Sequence, residues 1–326
     1  MRKISRIFVI GRACLNVIMS VRGIPAPGKA VAEQYYACVP GGCGLNAALM
    51  FKRLGLDAVL NTRVADDING NVVMRFCRDN GIDRRFITVE PKQKTGLESM
   101  IVTAAGESRC IIYPGANARL SADNTEEAVI TTLPDVLFLN LSSPPAAIET
   151  ASRVAAEKRI PVIVNAMRYE TGDFPLEKLK GVEIFITDEE SVAAFTGYPD
   201  MKPNSYIAIC TALSNRTKAK YVVIMQKNDA VLLYNSPYHY LYTPLSGQER
   251  TDPFTAVDTF AAALTREYIL HGDMERACKF GSIIYAMTLD GAGGSASVPH
   301  YDDISAFISK NNIRFDFTPS AGAAKV

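Results

Sequence analysis

The sequence predicts an α/β chain: a three-layer α/β/α core with a mainly parallel central sheet, accompanied by a small β-sheet lid. Apolar runs of buried-strand length recur at 4–11, 58–65, 135–141, 161–166, 182–187 and 221–226, and several are separated by stretches with helical apolar spacing. Strands that alternate with helices pair in parallel through right-handed crossovers, which lays helices on both faces of one sheet. Two regions, 12–39 and 96–114, break this rhythm and read as the lid.

The first element is the strand Ile7-Phe8-Val9-Ile10, too short an apolar run for a signal peptide or a membrane span. After the first lid region, Pro40-Gly41-Gly42-Cys43-Gly44-Leu45-Asn46-Ala47-Ala48 opens a helix running to Leu54-Gly55. The strand at 58–65 ends in the turn Ala65-Asp66-Asp67-Ile68-Asn69-Gly70. In the second lid region, Ser99-Met100-Ile101-Val102 and Cys110-Ile111-Ile112-Tyr113 flank Ala104-Ala105-Gly106-Glu107 as hairpin arms. Pro144-Pro145 starts a crossover helix with Ile148, Ala151, Val154 and Ala155 on one face, returning to the strand Val162-Ile163-Val164. Beyond 315 the apolar periodicity stops, and 316–326 reads as a flexible tail. Segments 1–11, 40–95 and 115–315 are assigned to the core, 12–39 and 96–114 to the lid.

With 326 residues, 48% hydrophobic and 21% charged, the chain can bury a large core. Lys and Arg number 35 against 34 Asp and Glu, a net charge of +1 that offers no field for nucleic acid or an anionic membrane, so small-molecule work is expected. Seven cysteines, odd in number and without metal-type spacing, point to reduced thiols in a cytoplasmic compartment and to no zinc site. His239, His271 and His300 lie far apart without a nucleophile signature. A dinucleotide fold calls for G-x-G-x-x-G after the first strand, whereas Gly11-Arg12-Ala13-Cys14-Leu15-Asn16 stands there.

The glycines at 41, 42 and 44 let backbone approach a ligand, and Asn46 offers both donor and acceptor. Asp258 precedes Thr259-Phe260-Ala261-Ala262-Ala263-Leu264, a helix-forming run, so its carboxylate and the amides of 255–258 are expected at a helix N-terminus that favours anions. Gly11, the 65–70 turn, Pro114-Gly115-Ala116-Asn117-Ala118, and Asp252 through Asp258-Thr259-Phe260 follow in one order. From about residue 5 to 310 this series resembles the ribokinase (PfkB) family.

The resemblance implies ATP-dependent phosphorylation of a hydroxyl on a sugar or sugar-like molecule, with Mg2+ and possible dependence on K+ near Asp252. It gives Gly41, Gly42 and Asn46 to the sugar and makes Asp258 the general base of an anion hole at Thr255, Ala256 and Val257. Asn16 and Ser142 stand where the family carries an aspartate and a glutamate that receive sugar hydroxyls. Asp188, in a degenerate N-x-x-E position, is the metal candidate; Met225, Lys227 and Asn228 occupy the nucleotide stretch without its glycines. Arg12 and Arg168 follow strands that point at the cleft and are expected to recognise a carboxylate or phosphate on the substrate. Family members often pair through their lids, which implies a homodimer. Two glycines of the family's Gly-Ala-Gly-Asp are replaced here, by Thr255 and Val257; a positive-φ turn would strain the valine. These departures imply a second reading, a catalytically degenerate relative that binds a sugar or nucleotide as a sensor or interaction module.

Overall fold

Alternation along the first strand sets the layers. In the computed structural model, which describes residues 6–32, 35–103, 107–169, 174–198, 200–242 and 251–317, β1 (Arg6–Ile10) turns Ile7 and Val9 to one face and Phe8 and Ile10 to the other. All four are fully buried. From β1 the chain leaves for β2 (Cys14–Val21) and β3 (Tyr36–Gly41). It returns through α1 (Cys43–Arg53), β4 (Asp57–Ala65), α2 (Ile68–Asp79) and β5 (Ile87–Glu90), then departs again for β6 (Gly96–Thr103) and β7 (Ser108–Tyr113). Strand and helix alternate through α3 (Ala122–Thr132), β8 (Val136–Asn140), α4 (Pro145–Glu157), β9 (Val162–Asn165) and β10 (Val182–Asp188). Next come α5 (Glu189–Thr196), α6 (Tyr206–Thr217), β11 (Tyr221–Met225), β12 (Val231–Asn235) and β13 (Tyr238–Tyr242). Last are α7 (Pro253–His271), α8 (Met274–Leu289) and α9 (Tyr301–Lys310).

The nine-stranded sheet has the order β13-β12-β11-β10-β9-β8-β1-β4-β5, with parallel pairing from β11 to β5 and antiparallel pairing only at β12. Helices α1, α2, α7, α8 and α9 pack on one face, over Ile7, Phe138 and Ile184; α3 to α6 pack on the other, over Phe8, Leu137 and Phe185. The α/β/α layering and mainly parallel sheet are as the sequence predicts. Strands β5, β12 and β13 add to the six expected, and β13 evaded detection because Tyr238, Tyr240 and Leu241 stay exposed on an edge without apolar alternation.

The lid is a separate four-stranded sheet, order β3-β2-β6-β7, in which β2 and β6 run parallel and the outer pairs antiparallel. β3 continues to Gly41, so a lid strand feeds directly into α1. Residues 104–106 of the expected hairpin turn lie outside the described residues, while its arms pair as β6 and β7. Cross-strand register places Asn16, Glu98 and Ile112 in one row facing the core, and leaves Tyr36, Ile111 and Tyr113 exposed on the opposite face. At the other end, Phe315 and Phe317 stack on Phe280 at 5.4 and 5.1 Å, so packing reaches into the segment expected as a tail; 318–326 lie outside the described residues.

Candidate active site

The site begins at the turn into α1. Gly42 sits at φ 96°, where a Cβ would meet the Arg12 carbonyl oxygen at 2.8 Å. That same oxygen accepts the Gly44 and Leu45 N–H groups at 2.9 and 3.1 Å, which stitches the start of α1 onto the loop after β1. A Cβ on Gly11 would lie 2.5 Å from Gly44 Cα, so the two backbones touch directly. Held this way, α1 presents Asn46, whose Nδ2 donates to Asp258 Oδ2 at 3.0 Å.

Asp258 lies on α7, whose start differs from the expected one. Asp252 is the N-cap, its Oδ1 accepting the Thr255 N–H at 2.9 Å, and Pro253 occupies the first helical position. The helix therefore begins ahead of Asp258, and the Thr255 and Ala256 amides, expected in an anion hole, are taken by Asp252. Val257 is helical and absent from the positive-φ residues, so the strain a valine would suffer in a left-handed turn does not arise. Burial pushes the Asp258 carboxyl up to about 7, against the Asn46 hydrogen bond and the charges of Arg168 and Arg12. Asp252 is also buried and raised, countered by Thr255, Ser297 and the Gly294 N–H.

Two pockets meet here. One, under the lid, is lined by Asp258, Asn46, Asn16, Ser142, Arg12 and Glu98, among others. Gly41 and Gly42 do not line it. A Cβ on Gly41 would lie 2.4 Å from Asn16 Nδ2, so that glycine makes room for the Asn16 amide. Ser142 Oγ shares a hydrogen bond with Cys43 Sγ at 3.1 Å. Arg12 Nη2 donates to Glu98 Oε1 at 3.2 Å across the gap between core and lid. Beneath them Asn165 Nδ2 donates to Asn140 Oδ1 at 3.0 Å and Asn140 Nδ2 to the Ile10 carbonyl at 2.9 Å.

The second pocket is lined by Asp188, Glu190, Met225, Lys227, Asp229 and Val257, among others. Asp188 caps α5: its Oδ1 accepts the Ser191 N–H at 2.7 Å and its Oδ2 the Arg168 N–H at 2.5 Å. Lys227 is placed by its own N–H, which donates to Glu189 Oε2 at 3.0 Å. Asn228 does not line the pocket; its Oδ1 accepts the Ala230 N–H at 3.1 Å and closes the turn after β11. Asp229 lines it instead, at φ 64° and accepting the Tyr285 hydroxyl at 2.8 Å. No group of three or more His, Cys, Asp or Glu among the described residues is arranged to hold a metal ion.

Arg168 and Phe254 line both pockets, with the guanidinium 3.3 Å from the ring centroid. Burial lowers the Arg168 pKa, opposed first by Asp258. Sequence reasoning missed Glu98, Asn140, Asn165, Phe254 and Tyr285. For the two asparagines a signal was present, since each closes an apolar strand run.

No helix of the described residues is long and apolar enough to cross a membrane. Over 313 residues the chain is 23% identical to the bifunctional ribokinase/ribose-5-phosphate isomerase A of Fructilactobacillus sanfranciscensis, covering 94% of this chain and 57% of that protein's length. It is 22% identical over 309 residues to the deoxyribokinase of Salmonella typhi, covering 94% and 99%. Arabidopsis thaliana ribokinase complexed with ribose and ATP shares the fold, with a TM-score of 0.78 at 17% identity over 94% and 99% of the two chains. The model of the pfkB family carbohydrate kinases matches residues 5–300, nearly the whole chain, and the protein belongs to that family.

Proposed function

We propose that this protein transfers the γ-phosphoryl group of ATP to a hydroxyl of a sugar or sugar-like acceptor, with Asp258 as general base. The observation that carries this reading is Asp258 itself, a buried carboxylate in the wall of a polar cavity with its pKa raised to about 7, near working pH. Asn46 holds one carboxylate oxygen by its N–H. Asp258 takes the acceptor's proton as the hydroxyl oxygen bonds to phosphorus, and the bond to the β–γ bridging oxygen breaks to release ADP.

The N-terminal end of α7, with Thr255, Ala256 and Val257, presents its dipole to the transferred group. Thr255 Oγ1, buried and with no partner in strict hydrogen-bonding geometry among the described residues, has the Asp252 side chain beside it and is suited to donate to a phosphoryl oxygen. The second pocket takes the nucleotide, with Lys227 and Arg168 toward phosphate and Met225 against the base or ribose. Asn228 acts through the turn that presents Lys227. Mg2+ neutralises phosphate charge when bound. Asp188 and Glu190 would hold it, because Mg2+ bound with a nucleotide needs only one or two protein carboxylates. A monovalent ion such as K+ suits the surroundings of Asp252, a buried carboxylate whose Oδ2 has no partner in strict hydrogen-bonding geometry among the described residues, with Ser297 and the Gly294 N–H beside the group. Asn16 and Ser142 line the acceptor cavity, Gly41 and Gly42 act on it through the room they leave for Asn16 and the Arg12 carbonyl, and two copies pair through the exposed lid face. The absence of a disulfide among the described cysteines suits a reducing, cytoplasmic setting.

Asp258→Asn is expected to lower kcat by about 10²–10⁴-fold while the acceptor still binds by calorimetry. Normal turnover by this variant would remove Asp258 from the base role. One observation favours the second reading, a sensor or interaction module: Asp188, the metal candidate, already has both carboxylate oxygens engaged by backbone N–H groups.

A further inference from the structure

Sugar hydroxyls are hydrogen-bond donors, and a binding cavity must offer them acceptors that the protein has not already used. Most polar groups in this cavity are spoken for. Asn46 Nδ2 serves Asp258, leaving Asn46 Oδ1 as a neutral acceptor without a partner among the described residues; Asn140 and Asn165 serve each other and the Ile10 carbonyl, and Asn16 Oδ1 takes the Cys14 thiol at 3.2 Å. Two carboxylates line the cavity, Asp258 and Glu98, and the first is occupied with proton transfer in the proposed reaction.

Glu98 is 7% exposed and stands on β6, in register with Asn16 on the parallel neighbour β2 and with Ile112 on β7. Residues in register on paired strands share a face, so Glu98 lies beside Asn16 on the inner side of the lid. Its charge is tolerated there because Arg12, on the core side, donates to Oε1 at 3.2 Å. Arg12 and the neighbouring Cys14 thiol thus hold the group, and a carboxylate, with about four acceptor sites, keeps lone pairs for two hydroxyls.

We propose that Glu98 is the acceptor-binding carboxylate of this protein, receiving neighbouring hydroxyls of a polyol, with Arg12 as its positioning residue. The proposal rests on the acceptor cavity assigned above. Glu98 stands on the lid strand β6 and Arg12 on the loop between β1 and β2, expected from the sequence to belong to the lid but with its carbonyl tied to α1, so the pair joins the lid sheet to the core beside the acceptor.

The test is calorimetric titration of wild type, Glu98→Gln, Glu98→Ala and the double variant Asn16→Asp/Glu98→Ala with D-ribose, 2-deoxy-D-ribose and D-fructose, with MgATP titrated separately. The tightest of the three sugars for wild type is the probe. Both single variants are expected to weaken it about 10- to 100-fold, the scale of charge-assisted hydrogen bonds, with MgATP affinity unchanged. The double variant returns a carboxylate to the adjacent strand and recovers most of the loss. Wild-type affinity in Glu98→Ala, equal loss of MgATP and sugar binding, or no recovery in the double variant overturns the proposal, as does a wild type that binds none of the sugars. Binding is read without turnover. A protein that binds sugar through Glu98 yet transfers no phosphate refutes the proposed kinase activity alone, and a working kinase indifferent to Glu98 refutes this inference alone.

Discussion

Asp258 answers to two opposed demands. As a base it must be ionised, so kcat/KM is expected to fall as pH drops through about 7, the value to which burial raises the group. A pH–rate profile flat from pH 5.5 to 8 would contradict this. For stability the sign is the reverse. A carboxyl whose folded pKa is raised above its unfolded value of 3.8 binds more protons in the native state between the two, so stability declines as pH rises from about 4 to 7. Asp258→Asn should therefore stabilise the fold at pH 8 by as much as about 4 kcal/mol and much less at pH 4, read by urea unfolding at both. Asp258 and Asn46 were legible in the sequence because each sits in a local motif. Glu98 was not: a single acid in a strand has no signature, and its meaning comes from Arg12, 86 positions away.

At the level of elements, the start of α7 was legible and was read too late. Asp252 followed by Pro253 is an N-cap and first-turn pair, and the structure uses both. Asp252→Ala is expected to cost at least about 0.5–2 kcal/mol in chemical unfolding, the range for losing a helix cap. The turn into α1 makes a sharper prediction. Gly42→Ala combines a φ of 96° with a contact of 2.8 Å to the Arg12 oxygen, whereas Gly197→Ala meets a φ of 74° and nothing within 4 Å among the described residues. Thermal unfolding should show the first substitution to be clearly the more destabilising, and calorimetry should show weaker acceptor binding for it alone. Equal effects would mean that the α1 turn tolerates displacement. The edge strand β13 was illegible because its pattern depends on β12 beside it rather than on its own residues.

For the molecule as a whole, continuous apolar strand runs alternating with segments of helical spacing were enough to predict two helix layers, since a strand apolar on both sides must be covered on both sides. Which loops close on one another was not written in any single segment. The cavity under the lid is assembled from the ends of β1, β8 and β9, the first turns of α1 and α7, and the lid strands β2, β6 and β7. The lid's outer face leaves Tyr36 68% and Ile111 71% exposed on a sheet with open edges, which favours pairing with a second copy. Light scattering after size exclusion is expected to give a dimer for wild type and a monomer for Tyr36→Asp/Ile111→Asp; a monomeric wild type would contradict lid pairing. The central claim is phosphoryl transfer, and 31P NMR of the protein with MgATP and a panel of pentoses, hexoses and sugar acids tests it most directly. The account predicts a phosphomonoester resonance that grows in step with ADP for at least one acceptor and is absent with Asp258→Asn. ATP left intact by a folded protein that still binds a sugar would contradict it and leave the sensor reading in its place.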